Sequence, residues 1–188
     1  MDAHTKDPAG YFLNCMDPGG DTGLSLLHIK PDSFRLLECA TVPWDPRKGL
    51  NPTATLVNWR LEYPGVHHFV YEGFHIRNTE SAAATDPTAL LVIGAVEQVM
   101  YDRGHTMYEE IFTQEPVAAK RDKGLATDEK LEKLNLHMDH RDSQRHVRDA
   151  NRHAVVHLVG RGYLPMCRVA YPRRSVRTRQ PALPGSPR

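Results

Sequence analysis

The last 28 residues, 161–188, contain no lysine and no acidic residue, yet carry seven arginines and five prolines. Cysteine is scarce as well. Cys15, Cys39 and Cys167 are odd in number and share no metal-type spacing. That excludes a disulfide framework and favours free thiols in a reducing, cytoplasmic setting. No apolar run approaches the roughly 20 residues a membrane span needs, and the first residues lack the basic-then-apolar order of a secretion signal. The turn Gly19-Gly20-Asp21-Thr22-Gly23 has no lysine, so it is not a phosphate-binding loop. His153 and His157 stand four apart with no glutamate between them. No cysteine pair accompanies them or the nearby His137 and His140, which argues against a zinc-protease motif.

What remains fits one globular domain with a tail. With 188 residues, 40% of them hydrophobic and 25% charged, the chain is long enough to bury one sizeable core. Its organisation reads as a flexible N-terminus over 1–10, a domain over 11–160 and a basic Pro/Arg-rich tail over 161–188. Positions 1–159 hold 17 basic and 23 acidic residues, so the net charge of +1 hides an acidic body and a basic arm. Such a division suits a protein that holds cations in a cleft and touches phosphates with its tail; a solvated terminus gives the same pattern. Arg173, Arg174 and Arg177 are the tail's candidate nucleic-acid contacts, and Lys120 and Arg121 are those of the body.

Residues 11–17, 24–29 and 34–42 read as three strands joined by short turns, a meander. A helix is expected over 53–63. Residues 66–76 form the most strand-like segment, apolar on both faces except at Glu72, as in a covered central strand. Pro87 opens a helix through Met100, whose apolar positions fit either a buried core helix or a dimer surface. A fifth strand is expected over 106–112, a short helix start over 115–121 and a loop or weak helix over 122–140. The last helix runs over 141–159, and Gly160-Arg161-Gly162 stops it, the prolines beyond discouraging regular structure. The order predicts an α/β domain, a mixed sheet flanked by helices.

Three acids sit in apolar surroundings, where a carboxylate is costly unless paired or metal-bound. Asp17 ends the first strand before a glycine turn that would let a substrate backbone approach. Glu72 interrupts the central strand, on one face with Val70. On the last helix, at about 100° per residue, Val147, Ala150, Ala154 and Leu158 form an apolar stripe. Asp142, His146, Asp149 and His153 cluster on its flank. Such a helix would deliver carboxylates and imidazoles, and the carboxylates are the oxygen ligands that suit Mg²⁺. Two such ions bridged by Asp17 would support an in-line phosphoryl displacement.

Taken together, the strand-ending Asp17-Pro18-Gly19 with Thr22-Gly23, the run Val70-Tyr71-Glu72-Gly73-Phe74 and the helical Asp149-Ala150-Asn151-Arg152-His153-Ala154 resemble the RuvC-type Holliday junction resolvases, especially their divergent phage versions. The resemblance spans roughly 11–159. It implies a ribonuclease H-like fold with a mixed five-stranded sheet, and a homodimer cutting branched DNA with two Mg²⁺ or Mn²⁺ ions per site. A phage member would work in the cytoplasm of a bacterial host. Asp17, Glu72 and Asp149 carry over as metal ligands. One turn before the last acid, where bacterial members have another carboxylate, this chain has His146, a candidate catalytic group. Asp142, two turns before Asp149, is the candidate fourth ligand. The same chemistry would serve a nuclease for flaps or RNA–DNA hybrids, and a module that had lost catalysis would keep only the binding.

Overall fold

Alternation along β1 (Tyr11–Asp17) sets the architecture. Tyr11, Leu13 and Cys15 enter one buried cluster, while Met16 enters another on the opposite face, with Phe12 packed against it. A strand buried on both faces must lie inside a sheet. In the computed structural model, which describes residues 8–73, 87–102, 108–114, 124–138 and 142–172, β1 does. It pairs antiparallel with β2 (Asp21–Ile29) and parallel with β4 (His67–Glu72). β3 (Phe34–Pro43) extends the meander and β5 (Glu110–Gln114) adds to β4 in parallel. The five-stranded sheet has the order β3-β2-β1-β4-β5.

Helices cover both faces. α1 (Pro52–Glu62) starts where the Asn51 side chain accepts the Thr53 N–H at 2.7 Å, with Pro52 in the first turn, a position that costs no hydrogen bond. With α2 (Thr88–Asp102) it closes one face through Leu56, Trp59, Val92, Ile93, Val96 and Met100. α2 is apolar beyond this need, and Leu90, Leu91 and Tyr101 stay exposed. The other face is covered by α4 (Asp142–Gly160), whose Val147, Ala150, Ala154 and Leu158 are buried as the helical arithmetic required. The short α3 (Asp128–Lys133) packs Leu131 into this second core. Asn151 donates to the Leu136 carbonyl at 2.9 Å, tying α4 to the chain that follows α3.

Two expectations need correction. Regular structure does not stop at Gly160. α5 (Leu164–Ala170) follows, with Met166 and Ala170 buried in the α4-side core. Pro165 falls in its first turn, where proline favours a start, and Pro172 follows its end, so counting prolines misled where their positions mattered. The fifth strand also begins later than the apolar residues suggested, at Glu110, because pairing with β4 runs from His68↔Glu110 to Glu72↔Gln114. The expected strand residues Phe74–Ile76, the helix start over 115–121, and Lys120, Arg121, Arg173, Arg174 and Arg177 lie outside the described residues. Cys15, Cys39 and Cys167 are free thiols. No helix among the described residues is long and apolar enough to cross a membrane.

Candidate metal centre

The parallel register β1–β4 ends at Met16↔Tyr71, so the next residues, Asp17 and Glu72, close both strands side by side. Alternation puts Asp17 in the row of Leu13 and Cys15, and Glu72 in the row of Val70, so both carboxylates face α4. Gln114 is paired with Glu72 on the far side, and Gly23 with Asp17 on the near side. One row across four strand positions, Gly23-Asp17-Glu72-Gln114, thus underlies the helix.

Gly23 explains how close that helix comes. A Cβ there would meet the His146 carbonyl oxygen at 1.9 Å and the Val147 nitrogen at 2.7 Å. Only the missing side chain lets α4 lie against β2. The space read as room for a substrate backbone is, at Gly23, filled by this helix. Gly20 does have open space around it.

α4 then delivers two imidazoles. His146 Nδ1 lies 3.3 Å from Asp17 Oδ2. Two turns on, His153 Nε2 lies 3.2 Å from Glu72 Oε2 and 3.9 Å from Asp17 Oδ1. One donor atom from each of Asp17, Glu72 and His153 falls within 4.8 Å of the others, a span that one cation can bridge. The His153 side chain is 5% exposed, against 19% for Asp17, 29% for Glu72 and 33% for His146. The centre is therefore anchored in the interior and open on the carboxylate side.

Electrostatics follow from the packing. Burial pushes the Asp17 carboxyl up, but hydrogen bonds and charge from His146 and His153 outweigh it and hold it below the ordinary range. Burial disfavours a charged His153, yet hydrogen bonds and attraction from Asp17 and Glu72 prevail and raise its pKa to about 9. His146 is raised too, chiefly by its hydrogen bond to Asp17. Asp17, Glu72 and His153 are thus a candidate cation site, in which a divalent ion would compete with that proton for Nε2.

No protein-family model matches the chain, and no curated protein matches it. Among solved structures it is similar to T. thermophilus RuvC in complex with a Holliday junction substrate. That likeness has a TM-score of 0.54 and 18% identity, over 81% of this chain and 97% of that one. The fold is ribonuclease H-like. A likeness at this identity speaks for the fold alone, and the chemistry rests on the side chains.

Of the residues singled out in the sequence, the structure brings together Asp17, Glu72 and His146. Asp149 lies on the same flank of α4, but its carboxylate is ion-paired with Arg152, which also holds Asp128. Asp142 opens α4, and its side chain lies outside the described residues. Two members were not singled out. His153 had been read as part of a helix flank; its seven-residue spacing from His146, about two turns, was the available signal. Gln114 falls just beyond the strand expected over 106–112. Its Oε1 lies 2.9 Å from His153 Nδ1, and its Nε2 donates to the His153 carbonyl at 2.8 Å.

Proposed function

We propose that this protein is a divalent-metal-dependent endonuclease that cuts four-way junctions or related branched DNA. The observation that carries the reading is the convergence of Asp17, Glu72 and His153 at the carboxyl ends of two adjacent parallel strands. The likeness in fold to a protein solved on a Holliday junction substrate supports branched DNA as the substrate to test first.

The donor set fits the ion. Two carboxylates and an imidazole, open to water on one side, leave positions for water and a phosphate oxygen. Asp17 and Glu72 would hold the cation; a second would draw on Asp142, and on Asp149 once released from Arg152. Bound there, such an ion would supply Lewis acidity, polarising a phosphoryl group and acidifying a water. His146, one-third exposed and hydrogen-bonded to Asp17, would carry a proton between the centre and solvent. Asp17 in turn stabilises the imidazolium that results. The arginines of the tail and Lys120 and Arg121 would contact phosphates, giving salt-dependent affinity. A homodimer would set two centres on one branched substrate, and the exposed Leu90 and Leu91 of α2 offer a surface for it.

Purified protein should be incubated with labelled junction, flap, linear duplex and RNA–DNA hybrid, in Mg²⁺, Mn²⁺ or EDTA. The expected result is metal-dependent cutting of the junction first, abolished by Asp17→Asn and by Glu72→Gln. Preference for flaps or hybrids would keep the chemistry and change the substrate. Salt-sensitive binding without cutting in either metal, or cutting that survives both substitutions, overturns the nuclease reading.

A further inference from the structure

Resting on the reading of Asp17 and Glu72 as an ion-binding pair, we propose that His153 is the third protein ligand of that ion, held in place by Gln114. Its nitrogen donor makes the site take first-row transition ions such as Mn²⁺ and Co²⁺ in preference to Mg²⁺.

The argument starts from the ring's orientation. Gln114 grips His153 at two points, the ring through Oε1 to Nδ1 at 2.9 Å and the backbone carbonyl through Nε2 at 2.8 Å. An amide oxygen only accepts, so Nδ1 carries the hydrogen there and Nε2 is left for the other side. Nε2 points at the two carboxylates. A buried imidazole with one nitrogen fixed by a polar partner and the other turned to anionic oxygens has the arrangement of metal-ligating histidines. Gln114 reaches this position because it pairs with Glu72 in the same strand-end row, so ligand and positioning residue share one register.

The rival ligand is otherwise engaged. Asp149 is tied to Arg152, and Arg152 to Asp128, which offsets the negative charge that would draw a cation. The donors facing one another are therefore two oxygens and one nitrogen. Mg²⁺ favours oxygen ligands and keeps its waters, whereas imidazole suits transition ions and binds them more tightly from Mn²⁺ to Co²⁺. Gln114 acts only through His153 and is a positioning residue.

The test uses the full chain without DNA. Calorimetric titrations with Mn²⁺, Co²⁺ and Mg²⁺ would be paired with pulsed EPR of bound Mn²⁺, which detects directly coordinated ¹⁴N. The expected affinity order is Co²⁺, then Mn²⁺, then Mg²⁺, with Mn²⁺ favoured over Mg²⁺ roughly tenfold. The ¹⁴N coupling should survive His146→Gln and vanish in His153→Gln. That variant should lose roughly 10- to 100-fold in Mn²⁺ affinity, with much less change for Mg²⁺. Gln114→Leu should weaken Mn²⁺ about tenfold while keeping the ¹⁴N signal. Absence of ¹⁴N coupling in the unmodified protein, or equal affinity for Mn²⁺ and Mg²⁺, overturns the proposal whether or not the variants fold. If Asp17→Asn abolishes Mn²⁺ binding but the ¹⁴N signal persists in His153→Gln, the ion site stands and the His153 assignment falls. If Asp17→Asn leaves Mn²⁺ affinity unchanged, the ion-site reading fails with it.

Discussion

Two buried histidines on opposite faces of the sheet carry opposite electrostatics. His67, at the start of β4, is 1% exposed, and its pKa is lowered to about 4, first by burial and then by the nearby Arg60 and His68, although its bond to a backbone carbonyl works the other way. His153, 4% exposed on α4, is raised to about 9. Burial acts against the charged form at both, so the partners decide. Asn14 Nδ2 lies 3.1 Å from His67 Nδ1, and His67 Nε2 lies 2.6 Å from the Tyr63 carbonyl. An amide donor on one nitrogen and a carbonyl acceptor on the other match the neutral ring and no other state. His153 faces two carboxylates instead. One cluster is a sealed neutral joint between β1 and β4; the other is a charged centre.

The comparison can be broken or sharpened, beginning with the largest effect. Gly23→Ala sets a methyl group against the α4 backbone and should cost about 3 kcal/mol. Thermal unfolding would give that loss, and NMR should show the His146 and His153 resonances moved while those of His67 stay in place. Next comes the pH dependence of stability in EDTA. His67 has a folded pKa below its unfolded value near 6.5. Its contribution is complete above that pH and is lost as pH falls from about 6.5 towards about 4. His153 has a folded pKa above its unfolded value. Its contribution is complete below about 6.5 and is lost as pH rises through about 9. Each limb spans about two and a half pH units and is on the order of 3 kcal/mol. His67→Gln should flatten the acid limb of a denaturation series, and His153→Gln the alkaline limb; an acid limb unchanged by His67→Gln would refute the assignment.

A smaller effect is expected from Asp17→Asn in metal-free protein. Losing one of two carboxylates should lower the His153 pKa by at least about one unit, equivalent to roughly 1.4 kcal/mol, read by NMR titration, with His67 unaffected. Smallest is Arg152→Gln. Its ion pairs with Asp149 and Asp128 are about one-third exposed or more, so stability should change by less than about 1 kcal/mol. The telling readout is metal binding. An unchanged Mn²⁺ affinity agrees with His153 as the ligand, and a tighter one would show that freed Asp149 joins the centre.

Most of the scaffold was legible because it rests on period and punctuation. The β1–β3 meander, the doubly buried β4 and the apolar stripe of α4 all follow from where apolar residues recur. Asp17 and Glu72 stood out because a carboxylate in an apolar strand needs a partner. His153 did not, since histidine is at home on a half-wet helix flank, and its burial depends on how deeply α4 settles. That depth is set by Gly23, more than 120 positions away, through a contact with no local signature. Gln114 was hidden by a boundary error: the strand's end is fixed by its pairing with β4 and not by its own sequence. α5 was missed because proline was weighed by number rather than by place.

The alignment of β1, β4 and β5 has one more consequence. Sliding β4 by a single position would present Tyr71 where Glu72 now stands, exchanging an anion for a phenol with no change in composition. Tolerance to inserted or deleted residues should therefore be uneven along the chain, generous in the turn around Gly20 and nil inside the strands that end at Asp17, Glu72 and Gln114.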